Sequence, residues 1–211
     1  MESKKLIARH LLEINAVVLS PEDPFTWASG IHSPVYCDNR LVLAYPDIRK
    51  DVVQAFVDLI QKNYPDAEVI AGTATAGIPH AAWIAEALDL PMVYVRSSAK
   101  SHGRKKQIEG LVKEGQKVVV IDDLISTGGS VLTAVDALKR VNADVLGVGA
   151  IFTYQLPQAE KNFSEAEVPL KTLTDFETLI HLAVEQGVID RGQLDQLKKW
   201  YADPLTEDWR K

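Results

Sequence analysis

The fold of this chain is decided by one stretch, Val118-Val119-Val120-Ile121-Asp122-Asp123-Leu124-Ile125-Ser126-Thr127-Gly128-Gly129-Ser130. Its first four residues are apolar and mostly β-branched, which predicts a buried parallel strand that ends on two adjacent carboxylates. After a turn rich in hydroxyl groups and glycine, apolar residues recur at helical spacing, at Val131, Leu132, Val135 and Leu138. The order of strand, tight turn and helix is typical of α/β proteins.

The turn has the chemistry of a phosphate site. Gly128 and Gly129 let the backbone close around an anion, and the free N–H groups and positive dipole of the following helix stabilise its charge. Three hydroxyl side chains offer further donors: Ser126, Thr127 and Ser130. An ordinary buried strand with a glycine turn is one alternative. A Walker-type nucleotide loop is another, but no Lys follows the glycines and the first Gly of that motif is absent.

The two carboxylates, Asp122 and Asp123, occupy the predicted carboxyl end of the strand, where open α/β sheets bind their ligands. Because carboxylates would repel a bare phosphate, we expect them to face ribose hydroxyl groups or a divalent cation. The stretch therefore predicts a site for a phosphorylated sugar.

Composition argues against several classes of protein. The net charge of −6 argues against a nucleic-acid binder that depends on a global basic field. Cys37 is the single cysteine, so neither an intramolecular disulfide nor a thiolate metal cluster can form. The N-terminal residues lack the apolar core of a signal peptide, and no apolar stretch approaches the length of a membrane span. We therefore expect a cytoplasmic protein with no nucleic-acid or membrane partner.

Strand and helix patterns alternate along the middle of the chain. Residues 69–72, 91–96 and 144–152 predict strands, with helical patterns between them. This alternation predicts an α/β fold of three layers, a parallel sheet flanked by helices, in a single domain of residues 1–211.

The core of this domain is expected to cover about residues 46–155. The first forty residues fit the alternation poorly, and their first helix is expected to continue through Val18. We expect residues 1–40 to form a small hood together with the C-terminal helices.

A loop of small residues, Gly72-Thr73-Ala74-Thr75-Ala76-Gly77, also follows a predicted strand and opens a helix. Small residues let backbone amides approach an anion closely, and the two threonines offer hydroxyl groups. Plain strand–helix packing would use the same residues, so this loop alone is weak evidence. Beside the first site, it predicts a pyrophosphate site at Thr73, Ala74 and Thr75.

Residues 96–110 concentrate five basic residues and a histidine in an acidic chain. A run of charges is usually a solvated surface loop. This one, however, lies between strands expected to bracket the site, and Gly103 and Gly110 supply hinges. A mobile basic lid would bring cations to the phosphate groups of a bound ligand and exclude water, so we interpret the segment as such a lid.

The stretch 118–130 resembles the 5-phosphoribosyl-1-diphosphate (PRPP) signature of type I phosphoribosyltransferases. Two further motifs are similar to those of orotate phosphoribosyltransferases: the Phe-Thr-x-x-Ser-Gly-x-x-Ser-Pro frame of residues 25–34 and the Arg-x-x-x-Lys-x-His-Gly lid pattern of residues 96–103. The resemblance implies an enzyme of UMP biosynthesis that uses Mg²⁺. Such an enzyme transfers the phosphoribosyl group of PRPP to orotate, giving orotidine 5′-monophosphate and pyrophosphate.

The resemblance also implies roles for individual residues. Lys100, Asp122 and Asp123 would be catalytic, and Lys100 would meet the developing charge on pyrophosphate. PRPP would be bound by a larger set: Arg96, Lys100, His102, Asp122, Asp123, Leu124, Ile125, Ser126, Thr127, Gly128, Gly129 and Ser130. Orotate would lie within reach of Ser126, Tyr36 and Cys37. Mg²⁺ would bind indirectly through PRPP, with Asp122 or Asp123 as a candidate direct ligand.

The chain departs from the family pattern at four positions. Ala28, Ala76 and Ser97 stand where many members carry a basic residue, and Tyr154 or Gln155 stands near the position of a family Arg. Two alternatives that share the signature stay open: a phosphoribosyltransferase for a purine or uracil, and a PRPP-sensing regulator without activity. The resemblance further implies a homodimer in which the lid of each subunit closes over the PRPP site of its neighbour.

Overall fold

The computed structural model describes residues 2–26, 32–98, 107–204, 206 and 208–210. The chain divides into two compact units, one of residues 1–48 with 174–211 and one of residues 49–173. In chain order the helices and strands are α1 (Glu2–Glu13), β1 (Val17–Leu19), β2 (Phe25–Thr26), β3 (His32–Ser33), β4 (Val35–Cys37), α2 (Pro46–Asn63), β5 (Val69–Thr73), α3 (Gly77–Leu88), β6 (Met92–Val95), β7 (Ile108–Glu109), β8 (Lys117–Ile125), α4 (Gly129–Lys139), β9 (Asp144–Thr153), α5 (Pro157–Glu165), β10 (Leu170–Asp175), α6 (Phe176–Glu185) and α7 (Arg191–Ala202). Two short 3₁₀-helices cover Asn39–Ala44 and Asp208–Arg210.

The unit of residues 49–173 is built around a six-stranded sheet with the strand order β10-β9-β8-β5-β6-β7. β8 pairs in parallel with both β5 and β9, and β5 pairs in parallel with β6. This confirms the predicted α/β fold with a parallel sheet. The edge strand β7 is antiparallel to β6 and was not predicted, because its two residues are too few to show an alternating pattern.

Helices cover both faces of this sheet, which gives the predicted three layers. Val120 of β8 belongs to a buried cluster with Val131 of α4. The next residue, Ile121, lies on the opposite face, because successive strand residues alternate. There a Cβ added to Gly149 of β9 would lie 3.2 Å from Ile121 Cδ1 and 3.3 Å from Cε1 of Phe56 in α2. The β8 core is therefore enclosed by α4 on one side and α2 on the other.

The direction in which the sheet grows reverses between β5 and β8. The strand that follows β5 in the chain, β6, lies on one side of it, whereas β8 and then β9 lie on the other side. Such a switch point leaves a crevice outside the carboxyl ends of the two strands, where open α/β sheets bind ligands. The crevice between β5 and β8 is therefore the place to look for a site.

The other unit contains α1, two short antiparallel strand pairs and the C-terminal helices. The prediction that the first helix continues through Val18 is wrong. Asn15 takes a left-handed conformation with φ 54°, and Val17–Leu19 pairs antiparallel with Val35–Cys37. The β-branched valines at 17 and 18 suit a strand, and a helix does not pass through a left-handed residue.

Local contacts within this unit fix its helices. Lys4 Nζ of α1 lies 2.5 Å from Oδ2 of Asp175, whose side chain also caps α6 by accepting a hydrogen bond from the Thr178 N–H. The buried Trp200 of α7 packs edge-on against Phe176, with 5.7 Å between ring centroids. Among the described residues of both units, no helix is long and apolar enough to cross a membrane.

Candidate active site

The end of β8 and the turn after it form the first wall of the crevice. The sequence predicted that the strand ends on the two carboxylates, but β8 continues to Ile125 and keeps pairing with β9, with Asp122 opposite Ala150 and Leu124 opposite Phe152. The pairing with β5 stops at Ile121. Both carboxylates therefore lie inside a strand, at the point where one of its two neighbours has ended.

Because strand residues alternate, the two carboxylates meet different surroundings. Asp122 is 7% exposed, whereas Asp123 is half-buried. Oδ1 of Asp122 accepts a hydrogen bond of 2.6 Å from Thr73 Oγ1 and one of 2.9 Å from the backbone N–H of Asp123. Asp122 thus joins β8 to the end of β5, and Asp123 is the more accessible of the two.

Burial of Asp122 shifts its protonation. The pKa of this carboxyl is raised from 3.8 to about 7: desolvation is the largest cause and raises it, the hydrogen bond from Thr73 lowers it, and the negative charge of Asp123 raises it. A carboxyl that is half-protonated near neutral pH carries less negative charge than an ionised one, so it is a weaker ligand for a cation. Asp122 is better suited to its hydrogen bond with Thr73, which joins β8 to the end of β5.

The turn after β8 has the shape that an anion site requires. Gly128 has φ +80°, and a Cβ there would lie 2.6 Å from Phe163 Cε2, so only glycine fits. Asn162 Nδ2 of α5 donates a 2.8 Å hydrogen bond to the Thr127 carbonyl, and α4 begins at Gly129. The turn is therefore fixed to α5 by the Asn162 hydrogen bond, and it leads into the N-terminus of α4 beside the crevice.

The side chains of the predicted PRPP stretch differ in access. Thr127, Gly129 and Ser130 are exposed and Leu124 and Ser126 are half-buried, so these residues are open to a ligand. Ile125 is 1% exposed, and its carbonyl accepts a hydrogen bond from the Tyr154 N–H. Ile125 therefore serves the strand core.

The loop of small residues forms the second wall of the crevice. A Cβ on Gly77 would lie 2.5 Å from the Ile121 carbonyl oxygen and 2.6 Å from Thr73 Oγ1, so the loop touches β8 closely. The peptide bond between Ala74 and Thr75 is cis. The Thr73 hydroxyl is engaged with Asp122, while Thr75 is exposed and Ala74 is half-buried. Of the two threonines, Thr75 is the one whose side chain is open to a ligand.

Of the three lid residues predicted to bind PRPP, Arg96, Lys100 and His102, Arg96 lies in the part of the chain that the structure describes. It follows β6 directly, its side chain is 41% exposed, and its NH1 lies 3.8 Å from Glu109 Oε1. Lys100 and His102 lie outside the described residues, so their predicted roles stay predictions.

The residues predicted to contact orotate are divided between the two units. Ser126 lies in the turn after β8, and Tyr36 and Cys37 lie on β4. Tyr36 is 43% exposed and its ring lies 5.5 Å from that of Phe25. Cys37 is buried, and its Sγ donates a hydrogen bond to Asn39 Oδ1.

Three of the four departures from the family pattern fall on described residues. Ala76 is half-buried and Ser97 is exposed. Tyr154 is 3% exposed and packs edge-on against Phe152, while Gln155 has a left-handed φ of 56°. Tyr154 is therefore a core residue. Ala28 lies outside the described part of the chain.

Sequence reasoning missed Asn162 and Gln107, whose side chains bind the backbone carbonyls of Thr127 and Arg96. Gln107 binds the backbone of Arg96 through its side chain and its own carbonyl. Each acts on a segment distant in sequence, so no local pattern identifies them. Among the described residues, no group of three or more His, Cys, Asp and Glu side chains could hold a metal ion.

The fold and the two loops around a switch-point crevice define a phosphoribosyltransferase domain. A family model described as "phosphoribosyl transferase domain" matches residues 42–180. This match confirms the family inferred from the stretch 118–130.

Individual relatives are more specific. The chain is 57% identical over 208 residues to the orotate phosphoribosyltransferase of Bacillus subtilis (strain 168), covering 99% of this chain and 96% of that protein. It is 59% identical over 210 residues to the one from Streptococcus pneumoniae serotype 4, covering 100% of this chain and 99% of that protein. The crystal structure of orotate phosphoribosyltransferase from Aeropyrum pernix matches with a TM-score of 0.75 at 26% identity, covering 87% of this chain and 99% of that one. The chain therefore belongs to the orotate phosphoribosyltransferase family.

Proposed function

We propose that the chain transfers the 5-phosphoribosyl group of PRPP to a ring nitrogen of orotate, which gives orotidine 5′-monophosphate and pyrophosphate. The observation that carries this proposal is the half-buried Asp123 at the crevice between β5 and β8, whose walls are the turn after β8 and the loop of small residues. PRPP is a ribose that carries a phosphate at one end and a pyrophosphate at the other. The carboxylate is suited to the ribose hydroxyl groups, and the two loops are suited to the two anionic ends.

The turn after β8 is suited to the 5′-phosphate. Its residues 126–130 combine a left-handed glycine, a helix N-terminus and exposed hydroxyl side chains. The N–H groups of the first helical turn have no intrahelical partners, so they can donate to phosphate oxygens.

Asp123 is suited to the ribose hydroxyl groups. As pyrophosphate departs, positive charge develops on the ribose, and a carboxylate beside the ring stabilises that charge. Asp122 supports this role indirectly, because its Oδ1 accepts the Asp123 N–H and the Thr73 hydroxyl. We therefore assign ribose binding to Asp123 and positioning of the crevice wall to Asp122.

The loop at 73–75 and the basic segment are suited to pyrophosphate. Thr75 exposes its side chain and Arg96 exposes 41% of its own. Lys100 and His102 complete this set in our proposal, with Lys100 meeting the charge on the leaving group.

The residues present fit a magnesium ion bound mainly through the substrate. Asp123 supplies one accessible carboxylate, and the buried, partly protonated Asp122 is a poor ligand. A bound Mg²⁺ would supply positive charge for the departing pyrophosphate.

Three further elements of the proposal extend beyond the crevice. Ser126, in the turn after β8, contacts orotate. The active form is a homodimer in which each lid serves the neighbouring site. The protein acts in UMP biosynthesis in the cytoplasm.

The test is a panel assay with PRPP and Mg²⁺ in which release of pyrophosphate is followed for five bases. We expect orotate to react far faster than uracil, hypoxanthine, adenine or nicotinate. Asp123→Asn serves as the matched control for background hydrolysis, because it keeps the side-chain shape but removes the charge. Equal or better turnover of any other base would overturn the assignment to orotate, and turnover of none would favour a PRPP-binding regulator.

A further inference from the structure

The two ends of the basic segment meet at the edge of the sheet. β6 and β7 are antiparallel, with Val95 opposite Ile108. One step further, the Arg96 N–H donates a 2.9 Å hydrogen bond to the Gln107 carbonyl, and Gln107 Nε2 donates a 2.8 Å hydrogen bond to the Arg96 carbonyl. Both backbone polar groups of Arg96 are therefore bound by a single residue.

The other end of the Gln107 amide is held as well. Its Oε1 accepts a 2.8 Å hydrogen bond from Arg140 NH2. Arg140 caps the C-terminus of α4, the helix that begins at the turn after β8. With Oε1 occupied by a cation, the Nε2 group is the end of the amide that faces the Arg96 carbonyl. The donor is thus oriented before any ligand arrives.

Arg96 lies next to the loop of small residues. The residue before it, Val95, accepts a 2.8 Å hydrogen bond from the Ala74 N–H through its carbonyl. The Arg96 guanidinium is 3.8 Å from Glu109 in a partly exposed pair, and such pairs contribute little stability. The guanidinium can therefore exchange Glu109 for a phosphate oxygen at low cost.

We propose that Gln107 is a positioning residue for PRPP, which fixes the backbone of Arg96 so that its guanidinium is presented to the pyrophosphate group. This inference rests on the proposed function, because it takes Arg96 as a PRPP contact. Gln107 itself touches no substrate, and its effect passes through the Arg96 side chain.

The first experiment compares two glutamines. Gln107→Met keeps the length of the side chain and removes its two side-chain hydrogen bonds, the one to the Arg96 carbonyl and the one from Arg140. The backbone hydrogen bond from the Arg96 N–H to the Gln107 carbonyl remains. Gln116→Met is the matched control, because the Gln116 side chain is also hydrogen-bonded to a backbone group: its Oε1 accepts a 2.7 Å hydrogen bond from the Lys113 N–H, just before β8 begins. For Gln107→Met we expect the KM for PRPP to rise about three- to tenfold, with kcat and the KM for orotate within about twofold. Gln116→Met should leave all three unchanged.

The second experiment asks whether Gln107 acts through Arg96. Arg96→Ala removes the guanidinium but leaves the backbone groups that Gln107 binds. Adding Gln107→Met to Arg96→Ala should therefore not raise the KM for PRPP further. If the two effects multiply instead, Gln107 acts by another route and the inference is wrong.

Two controls separate this inference from folding and from the proposed function. If Gln107→Met fails to fold, Gln107→Glu replaces it, since the glutamate keeps the acceptor for Arg140 and loses the donor to Arg96; its KM for PRPP should also rise. If the wild-type protein does not turn over orotate, the proposed function fails. The equilibrium Kd for PRPP then tests Gln107 by the same comparison, and an unchanged Kd in Gln107→Met would overturn the inference.

Discussion

The buried carboxyl of Asp122 should make the stability of the folded protein depend on pH. Burial raises its pKa from 3.8 to about 7 in the folded state, whereas the unfolded chain returns the side chain to water. Between these two values the folded protein holds a proton that the unfolded chain has released. The free energy of unfolding therefore falls as pH rises through this window, and the loss is complete above it.

Replacing Asp122 by Asn should remove this dependence. One pKa unit corresponds to ~1.4 kcal/mol, so the shift from 3.8 to about 7 corresponds to a loss on the order of 4 kcal/mol. Asparagine keeps the shape of the side chain and an oxygen that accepts from Thr73 Oγ1 and the Asp123 N–H, but it does not titrate. Relative to wild type, Asp122→Asn should gain stability steadily from about pH 4 to about pH 8.

The assay is urea unfolding of both proteins at several pH values across this range, followed by tryptophan fluorescence and circular dichroism. Groups that titrate equally in both proteins cancel in the difference between them. Asp58→Asn is a suitable control, because Asp58 is exposed on α2 and meets water in both states. A stability difference between wild type and Asp122→Asn that stays constant with pH would refute the reasoning.

Three further predictions concern the crevice and the lid. Asp123→Asn should fold normally, as judged by circular dichroism, but turn over about tenfold more slowly or worse, and a normal rate would mean that the pair is structural. Gly128→Ala should destabilise the protein to urea by about 2 kcal/mol or more, because φ is +80° and the added Cβ lies 2.6 Å from Phe163. Gly129→Ala, whose nearest atom is 3.9 Å away, should change stability by less than about 0.5 kcal/mol, and equal effects of the two would contradict this account. Lys100→Ala and Asp123→Asn should each turn over about tenfold more slowly than wild type or worse, yet subunit exchange between them should restore up to about a quarter of wild-type activity. A mixture no more active than the two variants alone would mean that the lid serves its own subunit.

The central strand and its site could be predicted from sequence because their signals are local. Four consecutive apolar residues identify the buried part of β8, and glycines after it identify the anion turn. The strand's continuation to Ile125 was not predictable, since residues beyond Ile121 are strand only through pairing with β9. The different surroundings of Asp122 and Asp123 follow from that continuation. The sequence therefore identifies both carboxylates as site residues, but it does not show which of them is buried and which is accessible.

Outside this stretch, the prediction from sequence failed for elements whose structure depends on a partner distant in sequence. Val17–Leu19 reads as the end of a helix until its antiparallel partner β4 is known. The nine-residue α5 was missed, and with it Asn162, which holds a carbonyl 35 residues away. The lid pattern named Arg96, but the residue that binds its backbone, Gln107, has no recognisable motif.

The hydrogen bond between Thr73 and Asp122 has a consequence for the order of folding. It joins residues 49 positions apart, across the parallel pair of β5 and β8. Non-local parallel pairing is slow compared with the formation of helices and hairpins. During synthesis, the loop of small residues is made before β8, the strand against which Gly77 packs. The crevice exists only after β8 has been synthesised and inserted between β5 and β9. A phosphoribosyl ligand present during synthesis cannot guide the assembly of its own site, and it stabilises only those chains whose sheet is already complete.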